Sequence, residues 1–147
     1  VGSATFIISL IVLFLWIFLK QKPGIGTILN VFIIAIVIDV TSFFFDPPTS
    51  IYHQYLLTIV AVLLVGFGSG IYLVANLGPG PRDGLMTGLT RITNYPISFI
   101  RASLEITVVF AGWYLGGTVG LGTLIFAFGI GPAVSLGLFI VKNHMSK

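Results

Sequence analysis

The chain contains 147 residues, of which 56% are hydrophobic and 7% are charged. Because a soluble domain typically carries about 25% charged residues, this composition excludes a water-soluble protein and predicts one that is embedded in a lipid bilayer. The absence of Cys excludes disulfides and Cys-based metal sites, and the net charge of +3 comes with no basic patch that would indicate a nucleic-acid partner.

Five apolar segments are long enough to cross a membrane, which takes about 20 residues per helix. They cover approximately residues 3–19, 25–45, 55–75, 96–115 and 121–141. Their apolar runs are continuous, whereas the strands of a membrane barrel alternate apolar and polar residues. The predicted fold class is therefore all-α, a polytopic transmembrane helical bundle with five visible spans.

The links between the spans alternate in basic charge. Lys20 and Lys22 lie in the first link and Arg82 and Arg91 in the third, whereas the second and fourth links carry neither Lys nor Arg. Because basic residues favour cytoplasmic loops, this pattern predicts an N-terminus outside and a C-terminus in the cytoplasm.

An internal repeat indicates how the spans are organised. A shift of 96 residues superposes residues 24–27 (Gly-Ile-Gly-Thr) on residues 120–123 (Gly-Leu-Gly-Thr), and it pairs Thr5 with Arg101 and Ser9 with Glu105. Three spans separate equivalent positions, so equivalent helices run in opposite directions, as is common in secondary transporters. Residues 1–50 would be the remainder of a first repeat and residues 51–147 the second. We expect a sixth span and a matching Gly/Pro link before Val1.

The third link is the densest motif of the chain. Pro79 and Pro81 preclude a continuous helix there, and Asp83 is placed to cap a short helix that runs to about Arg91. The N-terminus of that helix, with Arg82 beside it, is suited to a carboxylate or phosphate. Alternatively, the link is an ordinary cytoplasmic loop in which Asp83 caps a helix and Arg82 sets the topology. The candidate site residues of the link are Gly78, Gly80, Pro81, Arg82, Asp83 and Gly84.

Residues 77–85 (Leu-Gly-Pro-Gly-Pro-Arg-Asp-Gly-Leu), the Arg101-x-x-x-Glu105 spacing, and residues 120–123 and 129–132 (Gly-Ile-Gly-Pro) carry a resemblance to a known family. With them the sequence resembles the YczE/YitT-like integral membrane proteins of bacteria, over essentially the whole chain. The resemblance implies a six-span protein of two three-span halves in the bacterial inner (plasma) membrane, with a function that is mostly uncharacterised and taken to be transport in some members. By the family pattern, we expect the first span, the first motif and a soluble C-terminal domain to be missing from these 147 residues.

Three ionisable residues fall within the apolar spans. Arg101 lies about 7.5 Å into its span and is expected to extend to the cytoplasmic interface. Glu105, about 13 Å deep, is one helical turn away and can form an ion pair with Arg101. That pair would either fix helix orientation or make Glu105 a proton or cation carrier. Asp39, about 21 Å from the inner end of its span, is expected at the interface or in an outer vestibule.

These features predict secondary transport of a small solute, with an anion as one option. The alternative is a non-transporting membrane subunit or an assembly or regulatory factor, in which the same residues only orient helices. An enzyme is not expected, because the chain has no catalytic triad and no metal-ligand set, and no cofactor is implied. The expected partners are the lipid bilayer and the solute, with a homo-oligomer left open.

Overall fold

The computed structural model describes residues 2–146 and contains no strand within them. The helices of this part of the chain are α1 (Gly2–Leu19), α2 (Ile25–Phe44), α3 (Ile51–Ala75), α4 (Pro81–Thr93), α5 (Ile97–Tyr114) and α6 (Leu121–Met145). All of them except α4 are long and apolar enough to cross a membrane. The five predicted spans are confirmed, with ends that differ by a few residues.

Glycine, proline and asparagine define where these helices end. Asn76 and Asn94 adopt left-handed φ angles of 56° and 59° at the C-terminal ends of α3 and α4, a conformation that commonly terminates a helix. Gly78 follows with a φ of 116°, which glycine adopts without steric cost. Pro81 is the first residue of α4, where its missing N–H is not needed.

The helices pack as two groups that α4 joins. In one group α3 and α5 both pack against α6, in the other α1 packs against α2, and α4 contacts α1, α2 and α5. A short helix between two groups of apolar spans is therefore the element that holds them together.

Small residues allow α3 and α6 to approach each other closely. A Cβ atom added at Gly70 would lie 2.5 Å from the carbonyl carbon of Gly137, and one added at Gly66 would lie 2.5 Å from that of Ala133. Such contacts are shorter than real side chains tolerate, so the two backbones touch at these positions. Packing on small residues is the usual way in which membrane helices associate without a hydrophobic driving force.

We expect Gly70→Ala to destabilise the bundle by about 1–3 kcal/mol, because the added methyl group forces α3 away from α6. Gly68→Ala is the matched control, since a Cβ atom at Gly68 has no neighbour within 4 Å. Unfolding of both variants in mixed micelles, followed by circular dichroism, measures the difference. Equal stability of the two variants would contradict the close contact.

The bundle places its large apolar side chains outward and much of its polarity inward. Phe43 is 83% exposed and Phe18 74% exposed, as expected for side chains that face lipid. The buried polar side chains are Thr27, Ser69, Asp83, Arg101 and Glu105. A smaller apolar core of Met86, Ile100, Ile130 and Val134 connects α4, α5 and α6.

Helix α6 runs without a break through Pro132, and Gly131 there meets the backbone of Ser98 on α5, so residues 129–132 serve close packing. His53 lies in the first turn of α3, which begins at Ile51. The division of the chain into two inverted repeats stays a prediction.

Candidate functional site

A central cavity of about 580 Å³ lies between the two groups of helices and is lined by residues from every helix, α1 to α6. A cavity of this volume is in the range that small-molecule sites occupy. The neutral polar side chains in its wall are Thr5, Ser9, Asn30, Ser69 and Tyr72. The charged side chains that line it are Arg82, Asp83 and Arg101.

Four charged side chains form a chain of ion pairs beside this cavity. Nη1 of Arg101 lies 2.6 Å from Oδ1 of Asp83, and Nη2 of Arg101 lies 3.1 Å from Oε1 of Glu105. The same Oε1 atom lies 3.6 Å from Nη1 of Arg82. We call Arg82, Asp83, Arg101 and Glu105 the charge cluster. The short Asp83–Arg101 contact is a charge-assisted hydrogen bond, among the strongest polar contacts in proteins.

Burial divides the cluster into an inner part and an outer part. The side chains of Arg101 and Glu105 are each 6% exposed, whereas that of Arg82 is 44% exposed. Nε of Arg101 is buried and has no hydrogen-bond partner among the described residues. A buried N–H without a partner is rare and costly, so the cluster retains unused capacity to donate hydrogen bonds.

Asp83 belongs to α4, which is not one of the five candidate spans. Burial raises the pKa of its carboxyl above the ordinary value, the positive charge of Arg101 acts in the opposite direction, and the negative charge of Glu105 adds to the rise. Desolvation disfavours the charged form of a buried carboxyl group. The Asp83 carboxyl group therefore holds a proton more readily than it would in water.

Two expectations about these residues are wrong. Asp83 does not cap α4, because the helix begins at Pro81 and its N-cap is Gly80. Proline is well suited to the first helical position, so Asp83 lies within the first turn and its carboxylate binds Arg101. Arg101 does not extend outward, since its side chain is 6% exposed and pairs with the carboxylates of Asp83 and Glu105 in the interior of the bundle. The expected ion pair between Arg101 and Glu105 is confirmed.

Asp39 is not part of this site. Its Oδ1 atom accepts a hydrogen bond of 2.8 Å from the backbone N–H of Gly2. It lines a separate, smaller cavity between α1 and α2, together with Phe6 and Phe32. The structure therefore assigns Asp39 to the contact between two spans, and the charge cluster forms without it.

The Gly/Pro link is bound by the start of α2. The hydroxyl of Thr27 donates a 2.7 Å hydrogen bond to the carbonyl of Pro79, and the N–H of Gly26 donates one of 2.9 Å to the carbonyl of Leu77. A Cβ atom at Gly78 would lie 2.7 Å from the Thr27 hydroxyl, and one at Gly80 would lie 2.7 Å from Oδ1 of Asn30. The glycines of the link are thus needed for close approach, and they determine where α4 begins.

We expect Thr27→Val to lower the free energy of unfolding by about 1–3 kcal/mol, because the carbonyl of Pro79 loses the donor that the fully buried Thr27 hydroxyl supplies. The sequence supplies a matched control in Thr123→Val, since Thr123 is the position that the predicted repeat pairs with Thr27 and is exposed. Thermal unfolding of both variants in the same detergent tests the prediction. A control variant as unstable as Thr27→Val would show that the hydrogen bond to the link is not the cause.

A second contact holds α4 against α1. Nε1 of Trp16 donates a 2.9 Å hydrogen bond to the carbonyl of Pro81, and the ring occupies the space that a Cβ atom at Gly84 would take. Nε2 of Gln21 donates a 2.9 Å hydrogen bond to the carbonyl of Gly84. Gly84 therefore matters for packing, and like Gly78 it is not a lining residue of the central cavity.

Sequence reasoning missed several residues of the site. Trp16 and Gln21 lie in or just after an apolar run and carry no local signal. Ser69 could have been found, because it stands in a stretch of small residues, Gly68-Ser69-Gly70, of the kind that marks close approach in membrane helices. Thr5 and Ser9, which the predicted repeat pairs with Arg101 and Glu105, line the same cavity as Arg101.

The arrangement is suited to binding. Within the described part of the chain no group of three or more His, Asp or Glu side chains is placed to hold a metal ion. What the cavity offers is two guanidinium groups, one carboxylate, several hydroxyl groups, one amide and an apolar wall. These groups can hold and orient a small solute that carries a negative charge.

Comparison with known proteins agrees with a membrane protein of this kind. Residues 1–138 match the model of a family of unknown function, DUF6198. An uncharacterized protein of Haemophilus influenzae is 42% identical over 143 residues, which are 97% of this chain and 66% of that protein. The uncharacterized membrane protein YczE of Bacillus subtilis is 37% identical over 128 residues, or 86% of this chain and 60% of that protein. The chain thus spans less than two thirds of the length of either relative, and no solved structure gives a significant match.

Proposed function

The chain belongs to the family of unknown function DUF6198, and from the geometry of its central cavity we propose that it is a secondary transporter of a small solute. The observation that carries the proposal is the position of the charge cluster. Arg82, Asp83 and Arg101 line a cavity to which every helix from α1 to α6 contributes. Ionisable residues inside a membrane domain are costly and are generally functional.

The two-group arrangement supports movement around this cavity. The α1–α2 pair and the α3–α5–α6 group lie on either side of it, and α4 contacts both. If the groups rock relative to each other about α4, the cavity opens to one side of the membrane and then to the other. Inverted repeats supply this mechanism in many transporters, and Thr5 and Ser9 occupy the repeat positions of Arg101 and Glu105. The proposal assigns solute binding to the site and no covalent chemistry.

A non-transporting role is the second candidate, and one observation favours it. Asp83 and Arg101 are joined by a buried contact of 2.6 Å, and Glu105 completes the pairing within α5. The charges of such a cluster neutralise one another, and its whole role can be to fix the orientation of α4 against α5. In that case the cavity would be a packing feature of a membrane subunit or an assembly factor.

Accessibility labelling distinguishes the two functions, because the chain has no native Cys. We expect Ser69→Cys in the full-length protein to react with a membrane-impermeant maleimide from either side, as the cavity opens alternately. Ser103→Cys on α5 is the matched control, because Ser103 is exposed on the outside of the bundle and a thiol in lipid is unreactive. Ser69→Cys that reacts from one side only, or from neither, would contradict transport.

Solute flux into proteoliposomes tests the activity itself. We expect at least one member of a panel of labelled neutral, cationic and anionic solutes to accumulate. We also expect Arg82→Gln to reduce that uptake by about tenfold or more, which corresponds to about 1.4 kcal/mol of lost binding. Ser103→Ala should transport as the unmodified protein does. Unchanged flux in Arg82→Gln would show that the charge cluster does not bind the transported solute.

A further inference from the structure

The charge cluster contains one guanidinium group that the protein does not fully use. We propose that the cavity binds a small monocarboxylate at Arg82 together with one proton, which the carboxyl groups of Asp83 and Glu105 hold. This inference rests on the transport function proposed above and names its substrate class and coupling ion. Four observations carry it: the weak pairing of Arg82, the free Nε of Arg101, the charge balance of the cluster and the mixed lining of the cavity.

Arg82 is the cation available to a ligand. Within residues 2–146, its ion pair is with Glu105, at 3.6 Å between Nη1 and Oε1, which is longer than a hydrogen bond. A guanidinium group has five N–H donors in a planar fork, and the Arg82 side chain is 44% exposed while it lines the cavity. A carboxylate that approaches this fork can form two parallel hydrogen bonds, which Glu105 does not do.

Arg101 provides the second donor. Its Nε–H is buried and has no hydrogen-bond partner in the described structure, and Arg101 also lines the cavity. Both guanidinium groups lie within 3.6 Å of the same oxygen atom of Glu105. A ligand carboxylate that displaces Glu105 from Arg82 is therefore close to both guanidinium groups. The Nε–H of Arg101, which has no partner in the described structure, can then donate a hydrogen bond to it.

Charge balance adds the proton. The cluster has two guanidinium groups and two carboxylates, so its net charge is zero when all four are ionised. A bound monocarboxylate brings one further negative charge into a buried site, where an unpaired charge is very costly. One proton on the Asp83–Glu105 pair restores neutrality, and burial raises the pKa of Asp83 in the required direction. The proton enters from the water on one side of the membrane and leaves on the other.

Other titratable groups do not alter this balance. Arg82 and Asp83 reach the cluster from α4, and Arg101 shares α5 with Glu105. From α3 the titratable lining residue is Tyr72, and α1, α2 and α6 contribute hydroxyl, amide and apolar side chains to the lining. Within the described residues, no Asp, Glu, Lys, Arg or His outside the cluster lines the cavity. Each bound monoanion therefore requires one proton from this pair.

The rest of the lining indicates what the carboxylate is attached to. The hydroxyl and amide groups of Ser9, Ser69 and Asn30 can hydrogen-bond one neutral polar group of the ligand. The apolar part of the lining includes Ile34, Val65 and Phe126, which suits a short branched hydrocarbon chain. An inorganic anion such as phosphate has no apolar part to bury against this wall.

Calorimetric titration of the full-length protein in nanodiscs tests the inference. The probe is 4-methyl-2-oxopentanoate, a branched monocarboxylate with one neutral polar group, and its amide is the matched uncharged control. Measurement in two buffers of different ionisation enthalpy counts the protons that are taken up. We expect the carboxylate to bind with about one proton and with a Kd that rises with pH. The amide and inorganic phosphate should bind at least about a hundredfold more weakly, or about 2.7 kcal/mol.

Two variants sharpen the test. Glu105→Gln makes the cluster permanently less negative by one charge, so we expect it to bind the carboxylate with no proton uptake. Arg82→Lys retains the charge but not the planar fork, and we expect it to weaken binding by about tenfold or more. If Glu105→Gln does not fold, the proton count of the unmodified protein decides alone. Equal binding of the amide, tighter binding of phosphate, or a proton count of zero in the unmodified protein would overturn the inference.

The same preparations separate this inference from the proposed transport. Carboxylate binding with one proton but no flux into proteoliposomes would overturn transport and support the ligand class. Flux of a neutral or cationic solute, without carboxylate binding, would support transport and overturn the ligand class. Carboxylate uptake that follows the pH gradient and is insensitive to membrane potential supports both, because a monoanion and a proton cross together without net charge.

Discussion

Replacement of Arg101 by Gln is expected to destabilise the protein by about 3–5 kcal/mol, one of the two largest effects of a single substitution in this chain. Arg101 is buried, and its guanidinium group lies 2.6 Å from the carboxylate of Asp83 and 3.1 Å from that of Glu105. Among the described residues, no other ion pair of these two carboxylates is as short. Gln leaves both carboxylates without their cation in an environment that solvates them poorly. Unfolding in mixed micelles, measured by circular dichroism, gives the change in free energy.

The second substitution Asp83→Asn identifies the cause of this loss. In Arg101→Gln the Asp83 carboxylate is buried and unpaired, so removing its charge should recover about 1–3 kcal/mol of stability. Arg91→Gln is the control, because Arg91 is exposed and donates one hydrogen bond to the carbonyl of Leu19. It should cost about 1 kcal/mol or less. If the double variant is as unstable as Arg101→Gln, the stranded carboxylate is not the source of the instability.

Replacement of Trp16 by Ala is expected to cost about 3–5 kcal/mol, because it leaves a large cavity between α1 and α4. Trp16 is 1% exposed, its ring packs against Gly84, and its Nε1–H is bound to the carbonyl of Pro81. Trp16→Phe keeps most of the ring but not the donor, and should cost about 1–3 kcal/mol. Thermal unfolding of the two variants separates packing from hydrogen bonding.

Trp113 supplies the matched control for this prediction. It is the other Trp of the chain, lies on α5 and is 61% exposed, so Trp113→Ala should change stability by about 0.5 kcal/mol or less. Trp16 also positions α4, so we expect Trp16→Ala to impair any activity that depends on Arg82 and Asp83, even where the variant is folded. A Trp16→Ala protein with the stability of Trp113→Ala would show that α4 is held by other contacts.

The spans and their ends could be predicted from local sequence because they depend on local physics. A segment in lipid must satisfy its own backbone hydrogen bonds, so each continuous apolar run becomes a helix, and Gly, Pro and Asn end it. The pairing of Arg101 with Glu105 was predictable for the same reason, since residues one turn apart on a helix are neighbours. The position of the Gly/Pro link between spans was likewise visible in the sequence.

The partners of the site residues could not be predicted in this way. Trp16 and Pro81 are 65 residues apart, Thr27 and Pro79 are 52 apart, and Arg101 and Asp83 are 18 apart. No periodicity relates such positions. Capping was a reasonable local expectation for Asp83, but Pro81 begins α4 earlier and a buried guanidinium binds the carboxylate more strongly. The partner of Asp39 was likewise not visible locally, because the backbone N–H of Gly2 that it binds lies 37 residues away.

The sequence by itself determined that this protein is a helical membrane protein, how many visible spans it has and which motif is unusual. Composition and run length decide these properties, because the bilayer imposes one requirement on every segment that crosses it. Only the tertiary structure decided that α4 joins two groups of helices and that Arg82, Asp83, Arg101 and Glu105 form one neutral cluster beside a central cavity. Those contacts arise from packing of residues distant in the chain, and packing depends on the shape of every helix at once.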